Sequence, residues 1–291
     1  MAVTITNSAG VPTQYIEYSL KQTLLALRNR TIFVPGGVGW GNEVFQLADV
    51  TGQGNGLSGV FGRYNALTAS EVAEGAEYNG WQAFTPSVAA VTATRHAVGT
   101  IITHERLKKA KNAAQEWVNA GLALGRSAAA YVNKDFCSIF SSFSTGSGTS
   151  GSDATFAMAR SAVQSLRTAG VEGQIIFVLH EQSWAEMLAE SSSPLNTASV
   201  SRLADQAYMN YYVDDILGCR WFITADVQAA TTVDWVGGVF NAEAIGVTWG
   251  EDFKLEVEWN KNAASYEMLL SWWHGIGIAD QNCGRKHLTD Y

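Results

Sequence analysis

From Glu105 to Ser141 the chain carries a helical pattern uninterrupted by proline, and the length of that pattern limits what everything else can be. Leu107, Ala110, Ala114, Trp117, Gly121, Leu124, Ala128 and Tyr131 step by alternating threes and fours, and Phe136, Ile139 and Phe140 follow. Read as one helix, the segment is about 55 Å long. A compact globule of this size has a radius of gyration near ~19 Å, hence a diameter of roughly 50 Å. An element as long as the whole protein predicts an elongated molecule with this helix as its spine.

The surface of such a molecule is poor in charge. Charged residues make up 16% of the 291, against roughly 25% in ordinary soluble domains, while 47% are apolar and ten are tryptophan. This balance predicts that much of the outside is buried against other chains, and it excludes disorder. No apolar run reaches the roughly 18 residues that span a bilayer, so no membrane partner is expected. The start, Met1 to Thr6, lacks the basic-then-apolar pattern of a secretion signal, which places folding in a cytoplasm. The net charge is −8 and no basic block exceeds Lys108-Lys109, which argues against direct gripping of nucleic acid. Cys137, Cys219 and Cys283 are odd in number and far apart, and read as reduced, packed thiols.

Around the spine the pattern divides the chain. Residues 1–35 hold a β-leaning arm and an amphipathic helix with Tyr15, Ile16, Leu20, Leu24 and Leu27 on one stripe, widened by Leu25. Residues 36–100 contain nine glycines between Gly36 and Gly62 and aromatics such as Trp40, Phe61, Trp81 and Phe84 that cannot all be buried locally. A glycine-rich hairpin leaning on a neighbouring subunit accounts for that mixture. Beyond the Gly/Ser/Thr stretch Ser144–Ser152, Asp153 is a candidate cap for a helix bearing Phe156, Ala159, Val163 and Leu166 and stopping at Gly170. Ile175–Leu179 is continuously apolar, as a strand buried on both faces should be. Short helices are expected near Trp184–Leu188 and Ser199–Met209, and a strand near Arg220–Thr224. Phe253–Trp259 alternates apolar with charged, and Tyr266, Met268, Leu270 and Trp272 alternate again after a polar turn, which predicts a long hairpin.

Chemical motifs are few. Gly54-Asn55-Gly56-Leu57-Ser58-Gly59 fits G-x-G-x-x-G, with Glu77 near the ribose-acid spacing, but Val60 to Asn65 has no helical periodicity to receive a phosphate. There is no P-loop and no G-x-S-x-G elbow. His96, His104, His180, His274 and His287 never stand at metal-ligand spacing, and Glu71, Glu74 and Glu77 read as solvated. His180, at the end of the buried strand and followed by Glu181, is the best acid/base candidate, though a strand-end or interface hydrogen bond explains it as well. No catalytic, cofactor-binding or metal-ligating residue is assigned, and no cofactor is expected. A long chain without a catalytic constellation reads as a building block rather than an enzyme.

Taken in order, these zones resemble the major capsid proteins of tailed bacteriophages, the HK-ninety-seven-type fold. Ala169-Gly170-Val171 leading to Ile176 through Trp184 looks like that family's axial strand and helix. Val239 through Val247, followed by Phe253 to Glu258, looks like its strand re-entering the peripheral domain. The resemblance implies an α+β fold with an N-terminal arm and helix (1–35), an extended loop (36–100), a peripheral domain with the spine helix and long strands (101–145 and 251–275) and an α/β axial domain (146–250 and 276–291). It implies pentamers and hexamers closing into an icosahedral virion shell, assembled in the host cytoplasm, that encloses double-stranded DNA without sequence-specific binding. Scaffolding, portal and cement proteins would be separate partners. Some relatives weld their shells from a loop lysine. This chain has no lysine from residue 31 to residue 107, so that weld cannot start here, and the short N-terminus leaves no room for a fused scaffold. An encapsulin-like bacterial nanocompartment shell is the nearest alternative, and an α/β enzyme using His180 the alternative from another class.

Overall fold

The expected spine is two helices and a turn rather than one rod. In the computed structural model, a helix at His104–Lys109 and a 26-residue helix at Ala113–Ser138 are separated by three residues. Ala110 is extended (φ −70°, ψ 133°), and the Asn112 side chain accepts from the Ala114 N–H at 3.1 Å. A side chain that satisfies an orphan helix N–H fixes where the helix starts, and Asn112 does so just past the like charges of Lys108, Lys109 and Lys111. The long helix spans about 39 Å, which corrects the 55 Å expectation.

The structure describes residues 3–7, 13–30, 33, 44–50, 57–64, 69, 71–72, 74, 77, 80–83, 86–189, 212–216, 218–229 and 234–290. The helix expected near Ser199–Met209 lies outside them. In chain order the elements begin with β1 (Val3–Asn7), α1 (Thr13–Arg30), β2 (Gln46–Asp49), β3 (Ser58–Tyr64), β4 (Pro86–Thr92) and β5 (Thr94–Thr103). Helices α2 (His104–Lys109) and α3 (Ala113–Ser138) follow, then β6 (Gly146–Gly148), α4 (Phe156–Thr168), β7 (Ile175–Leu179) and α5 (Glu181–Ala189). The chain continues with β8 (Tyr212–Ile216), β9 (Cys219–Ile223), β10 (Asp234–Asn241), β11 (Ile245–Asn260), β12 (Ser265–Ile278) and β13 (Gly284–Asp290).

Two sheets and a separate hairpin result. One sheet runs β1-β11-β12-β5, with β2 pairing another stretch of β11; the other runs β6-β13-β10-β7-β9-β8; among the described residues β3 pairs only with β4. Strands β10 to β13 make one antiparallel ribbon that crosses both sheets, β10 on β13 in the second and β11 on β12 in the first. Alternation sets its register: Leu255 faces Leu270 and Val257 faces Met268, all four buried, and Trp259 faces Tyr266, both half-buried. Near the crossover the alternation gives way to register shifts between Trp249 and Lys254.

In the second sheet β7 is buried along its whole length, as its apolar run requires, and Phe177 stacks on Trp221 with ring centroids 4.3 Å apart. Helix α4 ends as expected. Gly170 takes φ +80°, and the Val171 and Gly170 N–H groups return to Leu166 and Arg167 carbonyls at 3.1 and 3.0 Å, while Val171 and Leu166 are both buried. Its start is different: Thr155, not Asp153, is the cap, accepting from the Met158 N–H at 3.2 Å.

Helix α1 buries a face shifted from the one the periodicity selected, keeping Ile16 in the core and Tyr15 and Leu20 packed against it. Ile16, Ser19, Thr23 and Ala26 are buried, Leu20 and Leu24 are half-buried, and Leu25 is 51% exposed. The reason is close approach. A Cβ at Gly121 would lie 2.4 Å from the Ser19 carbonyl oxygen, and one at Gly125 2.6 Å from that of Thr23. The helices meet backbone to backbone, so small residues win the interface over leucine. The hydroxyls of Ser19 and Thr23 then donate across it to the carbonyls of Trp117 (2.6 Å) and Gly121 (3.0 Å).

Where α3 ends, Phe136 joins the parts. It stacks on Phe33 (centroids 3.8 Å apart) and contacts Phe45, Phe140 and Phe240 at 5.8, 5.9 and 6.2 Å. All five rings are fully buried.

Two stability effects follow. Gly125→Leu forces the helices apart and is expected to cost about 3 kcal/mol or more in chemical denaturation, whereas Leu25→Ser on the exposed side stays within about 0.5 kcal/mol. His287 is fully buried against Phe177, with Ser147 Oγ 3.1 Å from Nδ1, and burial pushes its pKa down from 6.5 to about 4. The unfolded chain takes up a proton that the fold refuses, so this stability is complete above pH 6.5 and is lost as pH falls toward 4, a loss of about 3 kcal/mol. Denaturant titrations of His287→Asn across that window should show a slope shallower by about one proton than the parent.

Candidate functional site

A two-stranded hairpin is marginal in water by itself, so what seats β3 and β4 decides where they point. Their inner face carries Gly59, Phe61 and Val91, all buried. Beneath it Gly246 and Gly277 stand opposite each other in β11 and β12. A Cβ at Gly246 would lie 2.5 Å from the Phe61 ring, one at Gly277 2.5 Å from a Val91 methyl, and one at Gly275 2.2 Å from the Thr92 carbonyl oxygen. The seat exists because these positions have no side chain. Thr248 Oγ1 donates to the Val91 carbonyl at 2.9 Å, and the Ala93 N–H bonds the Leu57 carbonyl at 2.6 Å. Farther out, Arg63 pairs with Asp280, in the link between β12 and β13.

The hairpin's other face is apolar as well. Val60 faces Ala90 and Gly62 faces Val88, and all four are exposed, Val60 at 64% and Val88 at 59%. No charge interrupts that face. Trp81, between the two strands, is 85% exposed. Ile101 on edge strand β5 is 59% exposed. Exposed apolar area of this kind marks surfaces that meet other macromolecules.

The residues weighed for chemistry have structural duties. His180 precedes α5; its Nδ1 accepts from the Gln182 N–H at 3.2 Å, its carbonyl from the Trp184 N–H at 3.1 Å, and its ring stacks on Trp235 at 3.5 Å. Burial lowers its pKa. Of the glycine motif, Ser58 and Gly59 lie in β3, so no helix follows to hold a phosphate. Glu71, Glu74 and Glu77 are exposed, and no group of His, Cys, Asp and Glu able to hold a metal occurs among the described residues. The three cysteines are buried free thiols. Burial raises Cys137 well above its ordinary value; burial and the hydrogen bond from Sγ to Asp280 (3.1 Å) push Cys283 up to about 12.

His274 and Asp135, 2.9 Å apart, look like a catalytic pair that the sequence did not announce. They cannot act as one. Trp272 Nε1–H donates to His274 Nδ1 at 2.9 Å, so Nε2 carries the proton and gives it to Asp135, leaving no free basic nitrogen on the ring. The functional residues missed by sequence reading are the seat glycines and the Arg63–Asp280 pair. Gly275 and Gly277, two apart within a strand pattern, were the available signal for the seat.

No family model and no curated protein matches the sequence. Solved structures do. The capsid of Ralstonia phage GP4 superposes with a TM-score of 0.64 at 10% identity, over 86% of this chain and 87% of that one. The cyanophage Pam1 capsid gives 0.63 at 10%, over 86% and 89%. A virus-like particle from Pyrococcus furiosus gives 0.58 at 11%, over 94% and 99%. The α+β fold expected from the sequence is thus the fold these capsid and particle proteins share.

Proposed function

We propose that this chain is a structural shell subunit, a major capsid protein that self-assembles as pentamers and hexamers into the icosahedral head of a tailed phage around its double-stranded DNA. The observation that carries the reading is the hairpin: seated on glycines at its base, apolar and uncharged on its outer face, on a fold shared with capsid proteins. The subunit divides as the sequence resemblance implies, into an arm (1–35), an extended loop (36–100), a peripheral part (101–145 and 251–275) and an axial part (146–250 and 276–291). Its product is the virion, built in the host cytoplasm, with scaffolding, portal and cement functions supplied by other proteins. The role is structural rather than enzymatic, which the engaged nitrogens of His274 and the capping duty of His180 support.

The purified chain should form particles or capsomer rings in the megadalton range by light scattering and negative-stain imaging. A stable 31.4 kDa monomer at all concentrations overturns the reading. Val60→Asp combined with Val88→Asp, exposed in the monomer, should leave its melting unchanged within about 0.5 kcal/mol yet reduce particle yield by at least about tenfold. Particles made in infected cells that contain protein cargo and no DNA would favour the nanocompartment.

A further inference from the structure

The first sheet has one face on α3, and its other face is open among the described residues. On the open face the register places Glu258, Glu267 and Ile101 in one row across β11, β12 and β5, and Glu256, Leu269 and Gly99 in the next. Glu258 stands directly opposite Glu267, a like-charge pair that costs stability rather than adding it. Within the molecule, Lys254 pairs with Glu256 at 2.7 Å and Asn260 donates to Glu267 at 2.7 Å. Glu258 is exposed and has no cation among the described residues. Half-buried Leu269 and exposed Ile101 make an apolar floor between the carboxylates.

The same end of the sheet carries the densest positive charge in the chain. β5 runs into α2, whose first N–H, that of His104, bonds the Ala264 carbonyl in the ribbon's turn at 2.9 Å. There stand Arg106, Lys108, Lys109 and Lys111. Arg106 is taken by Glu116 of α3 at 2.7 Å and Lys109 by Glu105. Lys108 and Lys111 are exposed, with no ion pair among the described residues. The Arg106–Glu116 pair ties α2 to the α3 side of the sheet, whereas the glutamates face the opposite side. Among the described residues, one molecule therefore leaves Glu258, Lys108 and Lys111 without ion pairs at this end of the sheet.

We infer that a second copy of this chain completes the match: its Lys108–Lys111 segment lies across the Glu256, Glu258 and Glu267 face of the first. Lysine suits the site, since its apolar stem can lie on Ile101 and Leu269 while the ammonium reaches a carboxylate. The two patches differ, so the contact runs head to tail from copy to copy and closes where the rotation makes a ring. The inference rests on the shell-subunit reading and names one of its contacts.

Three variants test it: Glu258→Lys with Glu267→Lys, Lys108→Glu with Lys111→Glu, and all four together, each checked for folding by its melting curve. Assembly is followed by light scattering and negative-stain imaging at about 0.1 M salt, where exposed charges still act over ~10 Å. Each double variant should raise the protein concentration needed for assembly by at least about tenfold, and the fourfold swap should return it to within about threefold of the parent. If a double variant does not fold, Glu258→Gln with Glu267→Gln replaces it and should remove most of the parent's salt sensitivity. Double variants that assemble like the parent, or a fourfold swap no better than either, overturn the contact. So does impairment confined to the glutamate variant, which would mean a different cationic partner. A parent chain that never assembles overturns the shell reading itself, and this contact with it.

Discussion

The fold depends on a knot of phenylalanines at the end of α3. Phe136 touches Phe33 from the segment after α1, Phe45 from the segment before β2, and Phe240 from β10, so the N-terminal region, the first sheet and the second sheet meet on one ring. Each buried ring contributes about 1.5–3 kcal/mol through removal from water, and aromatic pairs add about 0.5–1.5 kcal/mol. The backbone closes on the knot where side chains are absent: a Cβ at Gly238 would lie 2.5 Å from the Phe140 ring and one at Gly284 2.1 Å from that of Phe143. With this centre fixed, α3 can carry α1 on one side and the ribbon of β11 and β12 on the other.

Glycine and small hydroxyl residues recur wherever two parts must approach closely. Gly121 and Gly125 admit α1, Gly246, Gly275 and Gly277 admit the β3–β4 hairpin, and Ser19 and Thr23 satisfy carbonyls across the helix contact. Since these contacts use little apolar side chain, the remaining apolar residues are left facing outward: Leu25 on α1, Val60 and Val88 on the hairpin, Ile101 on the edge strand. That is how a chain with few charges packs its interior while leaving apolar side chains on its surface.

The sequence made the β11–β12 hairpin, the buried strand β7 and the Gly170 stop legible, because each rests on a local rule: alternation, an unbroken apolar run, a positive φ. It misplaced what tertiary contact decides. The spine pattern ran through Ala110, where an asparagine cap three residues from a lysine pair overrode periodicity. The α1 stripe placed Ile16 correctly, but backbone contact with Gly121 and Gly125 buried Ser19 and Thr23 more fully than Leu20 and Leu24. Asp153 is as good a cap as Thr155 in isolation, and only the bond to the Met158 N–H separates them. Of the positions that aim the hairpin, only the Gly275–Gly277 spacing left a trace in the sequence; the Arg63–Asp280 pair, 217 residues apart, has no local mark.

The ribbon of β10 to β13 passes from one sheet to the other twice, side by side, as unbroken chain. A stretching force between its tip and the second sheet is therefore borne by two covalent backbones acting together, not by hydrogen bonds or packed rings. Bending is different: the shifts between Trp249 and Lys254, and the Asn241–Ala244 turn where one carbonyl receives both the Ala279 and Asp280 N–H groups, yield through torsions alone. Such a beam is inextensible along its axis and compliant across it, so the molecule can bend at the ribbon without lengthening.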